Sequence, residues 1–397
     1  MTAAVDSGDQ SARRNERRAF GVAAGAHALH DGYTDLIYVM LPVWQAEFGL
    51  SYAAIGILRG LFAGTMAALQ IPSSLLAERI GATAVLAGGT ALAGIGYLLA
   101  GASAGFVMLT AALIIGGIGA STQHPIASSL VARAFAGPRS LKALGSYNFA
   151  GDIGKMIFPA AAAFLMTLIP WRPTLAIAGA LGLAAAAAIV LLAPRSSSAL
   201  SHENATKAAT ASRHEARWAF PILTSIGVLD SATRMGSLTF LPFLLQDKGA
   251  SLPTIGLALT LVFAGGAAGK LVCAFIGERL GVVATVCVTE GLTVAMILLL
   301  LPVPLAAAVA MLPILGIALN GTSSVLYGSV PDLVAPEKRD RAFGIFYTGT
   351  IGAGAIAPFF YGIAGDALGV TAALILVACV LMLTLPLALA LRPVFAR

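Results

Sequence analysis

His27, His30, Asp31, Thr34, Asp35 and Tyr38 follow one another at i, i+3, i+4, i+7, i+8 and i+11, which on a helix makes one polar stripe. Imidazoles beside carboxylates take up and release protons near neutrality, and the same donors could ligate a transition metal. Asn148, Asp152 and Lys155 make a second stripe, its aspartate and lysine three residues apart. Asp230 and Arg234 stand four apart in a third, and Arg59 lies among apolar residues. His124 and Lys270 are further chargeable groups in apolar surroundings, and Glu290 has no partner that spacing identifies. Asn320, Tyr327 and Tyr347 add neutral polar groups to the later stretches. Each pair has two readings: a static ion pair that only holds a helix, or one that opens to a proton or an anion.

With 58% hydrophobic residues, 11% charged residues and a mean hydropathy of +0.89, the elements carrying these groups belong in lipid. A water-soluble globule would be about a quarter charged. Uncharged stretches such as 82–101, 174–192 and 370–391 reach the ~20 residues that cross a ~30 Å hydrocarbon core as helix. Twelve spans are expected, at 20–42, 52–76, 82–101, 105–132, 142–169, 174–192, 219–245, 253–276, 282–301, 305–331, 341–364 and 370–391. The 44 glycines suit helices that must approach closely where no hydrophobic drive operates. A charge in such a span costs several kcal/mol unless paired or wetted, so the ionic residues are functional candidates. Asp31, near the middle of its span, pairs naturally with His30 as a proton carrier, with Asp35, Asp152 and Asp230 as further candidates.

The chain also repeats itself. Ala77-Glu78-Arg79-Ile80-Gly81 returns as Gly277-Glu278-Arg279-Leu280-Gly281, and Pro42, Gly49 and Ser51 return as Pro242, Gly249 and Ser251. The expected architecture is an all-α membrane protein of twelve transmembrane helices in two pseudo-symmetric six-helix bundles. It divides into a tail at 1–19, a first bundle at 20–193, a linker at 194–218 whose composition turns to Ser, Ala, Thr and charge, and a second bundle at 219–397. Two tandem halves place a solute site between them, near the bilayer midplane.

Placing both termini in the cytoplasm puts nearly every Lys and Arg on that side and only Arg172 and Lys248 on the other. The net charge of +6 therefore reports orientation and gives no support to a nucleic-acid partner. Residues 1–18 lack a cleavage site after a short apolar core, so they read as a cytoplasmic tail. Cys273, Cys287 and Cys379 stand at no metal-ligand spacing, and no nucleophile elbow, HExxH helix or phosphate-cradling loop argues for an enzyme. Glu78, Arg79, Glu278 and Arg279, at helix reversals, could latch one conformation of a rocking pair.

The twelve-span layout, the central linker and the paired Glu-Arg-x-Gly turns resemble the major facilitator superfamily. Three segments look like its fosmidomycin-resistance-like drug efflux subgroup: His27 to Asp31 running on to Pro42 and Glu47-Phe48-Gly49-Leu50-Ser51, Gly116 to His124-Pro125, and Asn148 to Pro159. The resemblance implies a monomeric secondary transporter in the cell (inner) membrane, an antiporter that uses the proton gradient and no cofactor. The chain departs from the pattern in two places: Ala82-Thr83-Ala84 follows the first turn where basic residues are usual, and no Arg lies between Arg79 and Arg133 in span four. The expected activity is export of a small, anionic organic compound. Its ligands would be His27, Tyr38, Arg59, His124, Asn148, Lys155, Arg234, Lys270, Asn320, Tyr327 and Tyr347. The alternative cargo is a transition metal or its chelate on the His/Asp stripe, which the nearby Arg and Lys oppose.

Overall fold

The computed structural model describes residues 2–135, 138–193 and 218–395, so most of the expected linker lies outside the described residues. The helices are, in order, α1 (Thr2–Phe48), α2 (Tyr52–Ala68), α3 (Gln70–Ile80), α4 (Ala82–Gly101), α5 (Phe106–Ala120), α6 (Gln123–Ala134), α7 (Pro138–Leu165) and α8 (Trp171–Leu192). The repeat continues with α9 (Ala219–Asp247), α10 (Leu252–Leu300), α11 (Leu305–Leu333), α12 (Arg339–Leu368), α13 (Val370–Met382), α14 (Thr384–Ala390) and α15 (Arg392–Phe395). Among the described residues no strand occurs. Helix α1 begins at Thr2, so the backbone of the expected tail runs on as helix into the first span.

Among the described residues eight stretches are long and apolar enough to cross a membrane, and the α2–α3 pair, bent by 44°, makes a ninth. The other three of the twelve spans are α1, α7 and α9, the helices that carry the ionic stripes. Their polar residues are what set them apart from simple lipid-crossing helices, and those residues must be buried in protein.

Positions related by the repeat fill both apolar cores. Ala26, Leu86, Ile126, Val131, Ala143 and Tyr147 pack together in the first half. Ile226, Val286, Leu326, Val330, Ala342 and Phe346 do the same in the second. Helix ends repeat too. Arg172 Nη1 donates to the carbonyls of Ser103 and Gly101 at 2.5 and 3.3 Å, and Lys248 Nζ donates to those of Val303 and Leu301 at 2.6 and 2.8 Å. Two different cations thus satisfy the same orphan carbonyls of two related helices.

The chain forms two compact units. The first comprises Met1–Ile37 and Thr65–Asn204, the second Tyr38–Gly64 and Ala205–Arg397. Within the first unit α4 meets α8 backbone to backbone through Gly94, Gly179 and Gly182. In the second unit, Gly56 and Gly60 of α2 lie against the backbone of Pro358 and Ala355 of α12. There the Asp366 carboxylate accepts from the amides of Tyr52 and Ala53 at 2.5 and 3.0 Å, capping the start of α2.

Gly81 (φ 94°, ψ 141°) and Gly281 (φ 77°, ψ 170°) turn the chain between α3 and α4 and inside α10, in a region that essentially only glycine enters. Gly81→Val and Gly281→Val should each destabilise the purified protein by about 1–3 kcal/mol, lowering its thermal unfolding midpoint. Gly88→Ala, with nothing within 4 Å of the added methyl, should leave that midpoint unchanged within error.

Candidate functional site

The first unit gathers its ionic residues around Asp31. Lys155 Nζ stands 3.2 Å from Asp31 Oδ2 and 4.0 Å from Asp152 Oδ1. His27 Nε2 lies 3.7 Å from Oδ2 of the same aspartate, and His30 and His124 lie 3.9 and 4.0 Å from its Oδ1. The Nε2 atoms of His30 and His124 are 3.3 Å apart, so one ring donates and the other accepts. His27, His30, Asp31, Asp35 and Asp152 are buried, whereas the Lys155 and His124 side chains keep 31% and 43% exposure. The cluster therefore has a closed floor and an open side.

Local sequence explains the convergence. Gly151 and Gly154 put the α7 backbone directly on α1: a methyl at Gly151 would sit on the Asp31 carboxylate and the His27 ring. Lys155, one residue on, then reaches Asp31. His124 arrives because the span breaks after α5. At the break the hydroxyls of Ser121 and Thr122 donate to the carbonyls of Ile118 and Gly119 at 2.7 and 3.1 Å, and within α6 the Ser128 hydroxyl donates to the His124 carbonyl at 2.6 Å. Tyr33 anchors α1 from the opposite side, its hydroxyl donating to the Ala178 carbonyl while the Tyr97 hydroxyl donates to its own.

Tyr147, which the sequence analysis passed over, stacks on His27 with ring centroids 4.1 Å apart. Tyr147, Gly151 and Gly154 lie at i, i+4 and i+7, and that small-residue face was the available signal. Asn148 is exposed and takes no part in the cluster.

Three other groups occur in the second unit. Arg59, 2% exposed, donates to the Tyr38 hydroxyl at 3.0 Å and stands over its ring, with the Met235 sulfur 3.9 Å away. The Tyr327 and Tyr347 rings lie tilted against each other with centroids 4.9 Å apart, both exposed, and Asn320 donates to the Gly316 carbonyl within its own helix. Asp230 and Glu290, the acid that spacing left unassigned, are buried at 4% and 1% exposure, and half-buried Arg234 stands one turn along α9 from Asp230. Lys270 is exposed on α10. Glu78, Arg79, Glu278 and Arg279 are exposed, and among the described residues no ion pair joins them. Arg279 lies over the Phe275 ring, and Arg139 pairs with Glu16 at 2.6 Å.

His27, Asp31 and His124 also bring their donor atoms within 4.8 Å of one another, a spacing that could hold a metal ion. The Lys155 ammonium already occupies the Asp31 carboxylate on one side. A divalent ion would have to displace it.

A family model described as Major Facilitator Superfamily matches residues 23–229 and 223–396. The Fosmidomycin resistance protein of Escherichia coli (strain K12) is 30% identical over 172 residues, a match spanning 40% of this chain and 40% of that relative. Among solved structures, a bacterial homologue of the human lysosomal transporter Spinster, inward-facing and occupied, superposes with a TM-score of 0.78 at 17% identity, covering 96% of this chain and 98% of its own. A variant of the nucleoside transporter NupG superposes with a TM-score of 0.76 at 14% identity, covering 96% and 99%. At such identities these two likenesses establish the fold.

Asp31→Asn would leave the Lys155 ammonium without its nearest counter-charge. Because that side chain is 31% exposed, the loss should fall below the full cost of breaking a buried pair, at about 1–3 kcal/mol. Asp31→Asn/Lys155→Met should recover part of it in thermal unfolding. Strictly additive losses would mean that the two side chains do not interact.

Proposed function

This chain belongs to the Major Facilitator Superfamily and is a multi-pass membrane transporter, and from that premise we propose that it is a proton-coupled exporter of a small, anionic organic compound. It works by alternating access in the cell (inner) membrane, with both termini cytoplasmic as the distribution of Lys and Arg supports. Export is supported by the relative named for resistance. The exposed Glu78, Arg79, Glu278 and Arg279 turns fit a latch that biases one state by no more than about 1 kcal/mol per pair.

The observation that carries the reading is the half-open Lys155–Asp31 pair ringed by three histidines. Exchange requires that proton and solute exclude one another, since a ligand moves an equilibrium only through differential affinity. An anionic group settles on Lys155 while a donor on the same solute is accepted by ionised Asp31. A proton on Asp31 turns one of its acceptor oxygens into a donor and removes its charge, and so rejects the solute's donor. Lys155 then keeps Asp152, 4.0 Å away, as its counter-charge. His30 and His124, in contact with each other and with Asp31, relay the proton from the open side.

The second reading, a transition-metal cargo, rests on the donor spacing of His27, Asp31 and His124. Proteoliposomes with an acidic lumen separate the two. Fosmidomycin added outside should discharge the pH gradient through wild-type protein. Asp31→Asn, which stands in for the protonated acid, should lose that discharge and weaken the binding of labelled solute. Lys155→Ala should weaken apparent affinity about ten- to a hundredfold, the worth of a charge-assisted hydrogen bond. Zinc-dependent quenching of a lumenal dye in place of these effects would favour the metal. No difference from empty vesicles with fosmidomycin, a panel of small carboxylates or zinc would overturn both.

A further inference from the structure

Arg13, Arg14, Arg17 and Arg18 stand on α1 just before the apolar run that begins at Ala19, and together they line an open hollow of about 430 Å³. All four are exposed. We propose that this arginine face is a binding site for the phosphate groups of anionic membrane lipids. The site lies within the first unit and depends neither on the transport cycle nor on the Asp31 reading.

Helix geometry sets the face. Successive residues turn by about 100°, so positions 13, 14, 17 and 18 cover about 140° of the surface of α1. Ala19, Ala23 and Ala26, buried side chains by which α1 packs, centre on the opposite side of the helix. The arginines therefore look away from the helices that hold α1.

Depth along the axis names the medium. The first span is expected to begin near residue 20, and at ~1.5 Å per residue Arg18 to Arg13 stand about 3 to 10 Å beyond it. The polar layer outside the hydrocarbon core is about 5–8 Å deep on each side. The guanidinium groups thus share a level with lipid phosphates.

Two contacts fix the backbone there. Arg139 Nη2 donates to the Glu16 carboxylate at 2.6 Å, and Phe20 meets the Phe135 ring edge-on with centroids 6.3 Å apart. Arg139 also lies over the Phe135 ring, so α1 is tied to the place where α6 ends and α7 begins. Glu16 is the one acid among residues 13–18, and it is given to a cation outside that run. Among the described residues no ion pair reaches Arg14, Arg17 or Arg18.

Charge and donor geometry choose the occupant. Arg13 and Arg17, like Arg14 and Arg18, are spaced i, i+4, where like charges repel. An anion between them relieves that repulsion, and the guanidinium fork matches two oxygens of a phosphate. A lipid phosphate is kept at this level by its acyl chains, so it meets the site at an effective concentration that free phosphate does not reach. Each arginine near a charged bilayer surface strengthens attachment about fivefold.

Native mass spectrometry of the full chain, released from micelles holding equal amounts of phosphatidylglycerol and phosphatidylcholine, tests the site without any transported solute. The wild type should retain phosphatidylglycerol in preference to phosphatidylcholine. Arg14→Gln/Arg17→Gln/Arg18→Gln should weaken that retention about ten- to a hundredfold. Arg17→Gln alone should weaken it about fivefold, so the site is readable even where the triple variant folds poorly. Arg133→Gln/Lys142→Gln/Arg392→Gln, which removes three exposed charges elsewhere, should leave it nearly unchanged. Equal retention of the two lipids by the wild type, an equal loss in this second triple variant, or full displacement by millimolar inorganic phosphate would overturn the proposal. A transport failure of Asp31→Asn would leave the lipid ratios untouched, so the two readings fall separately.

Discussion

An ammonium and a carboxylate 3.2 Å apart, on two helices long enough to cross a bilayer, set the terms for the first unit. Neither charge is affordable alone in such surroundings, and together they are tolerated only at contact distance. Contact distance in turn demands that α7 come down onto α1 with nothing between the backbones. Gly151 and Gly154 meet that demand, and Gly32 returns it from α1 by making room for Phe158. With the helices so close, His27 can only lie flat on Tyr147, and His30 points toward the place where the broken fourth span delivers His124. The histidine arrangement is thus a consequence of satisfying one ion pair. Its members share one carboxylate.

The second unit meets the same requirement with different chemistry. At the positions of His30 and Thr34 it has Asp230 and, close by, Arg234, and it adds Glu290 from α10. Both units bury ionisable groups and have cores built from positions related by the repeat. What the duplication holds constant is apolar shape and helix-end geometry. What it leaves open is which ionic residues line the polar face.

That division explains how much could be read in advance. Span number, approximate span boundaries and the pairing of Gly81 with Gly281 were legible because length, hydropathy and repetition are local properties of a chain. The stripe on α1 was legible from helical periodicity, and its burial follows from the cost of exposing it to lipid. Tyr147 was not, because an aromatic beside a polar stripe reads equally well as a lipid-facing residue until the partner helix is known. The surroundings of Glu290, 1% exposed, were not legible either, because a lone acid in an apolar stretch has no partner that spacing can name. Asn148 illustrates the converse: it follows the periodicity of Asp152 and Lys155 yet lies exposed, since a stripe is wider than the contact it serves. The membership of Tyr38–Gly64 in the second unit was likewise beyond local pattern, being decided by glycine faces on α2 that fit the backbone of α12.

The correspondence between Ile126 and Leu326, or between Tyr147 and Phe346, shows that shape is held in duplicate while chemistry is not. Tyr147 and Phe346 differ by a single hydroxyl, and in the first unit that ring is the one lying on His27. A paralogue of this fold could therefore acquire a new cargo through changes at a few lining positions, with its folding energetics nearly untouched. Selectivity in such a scaffold can drift faster than architecture.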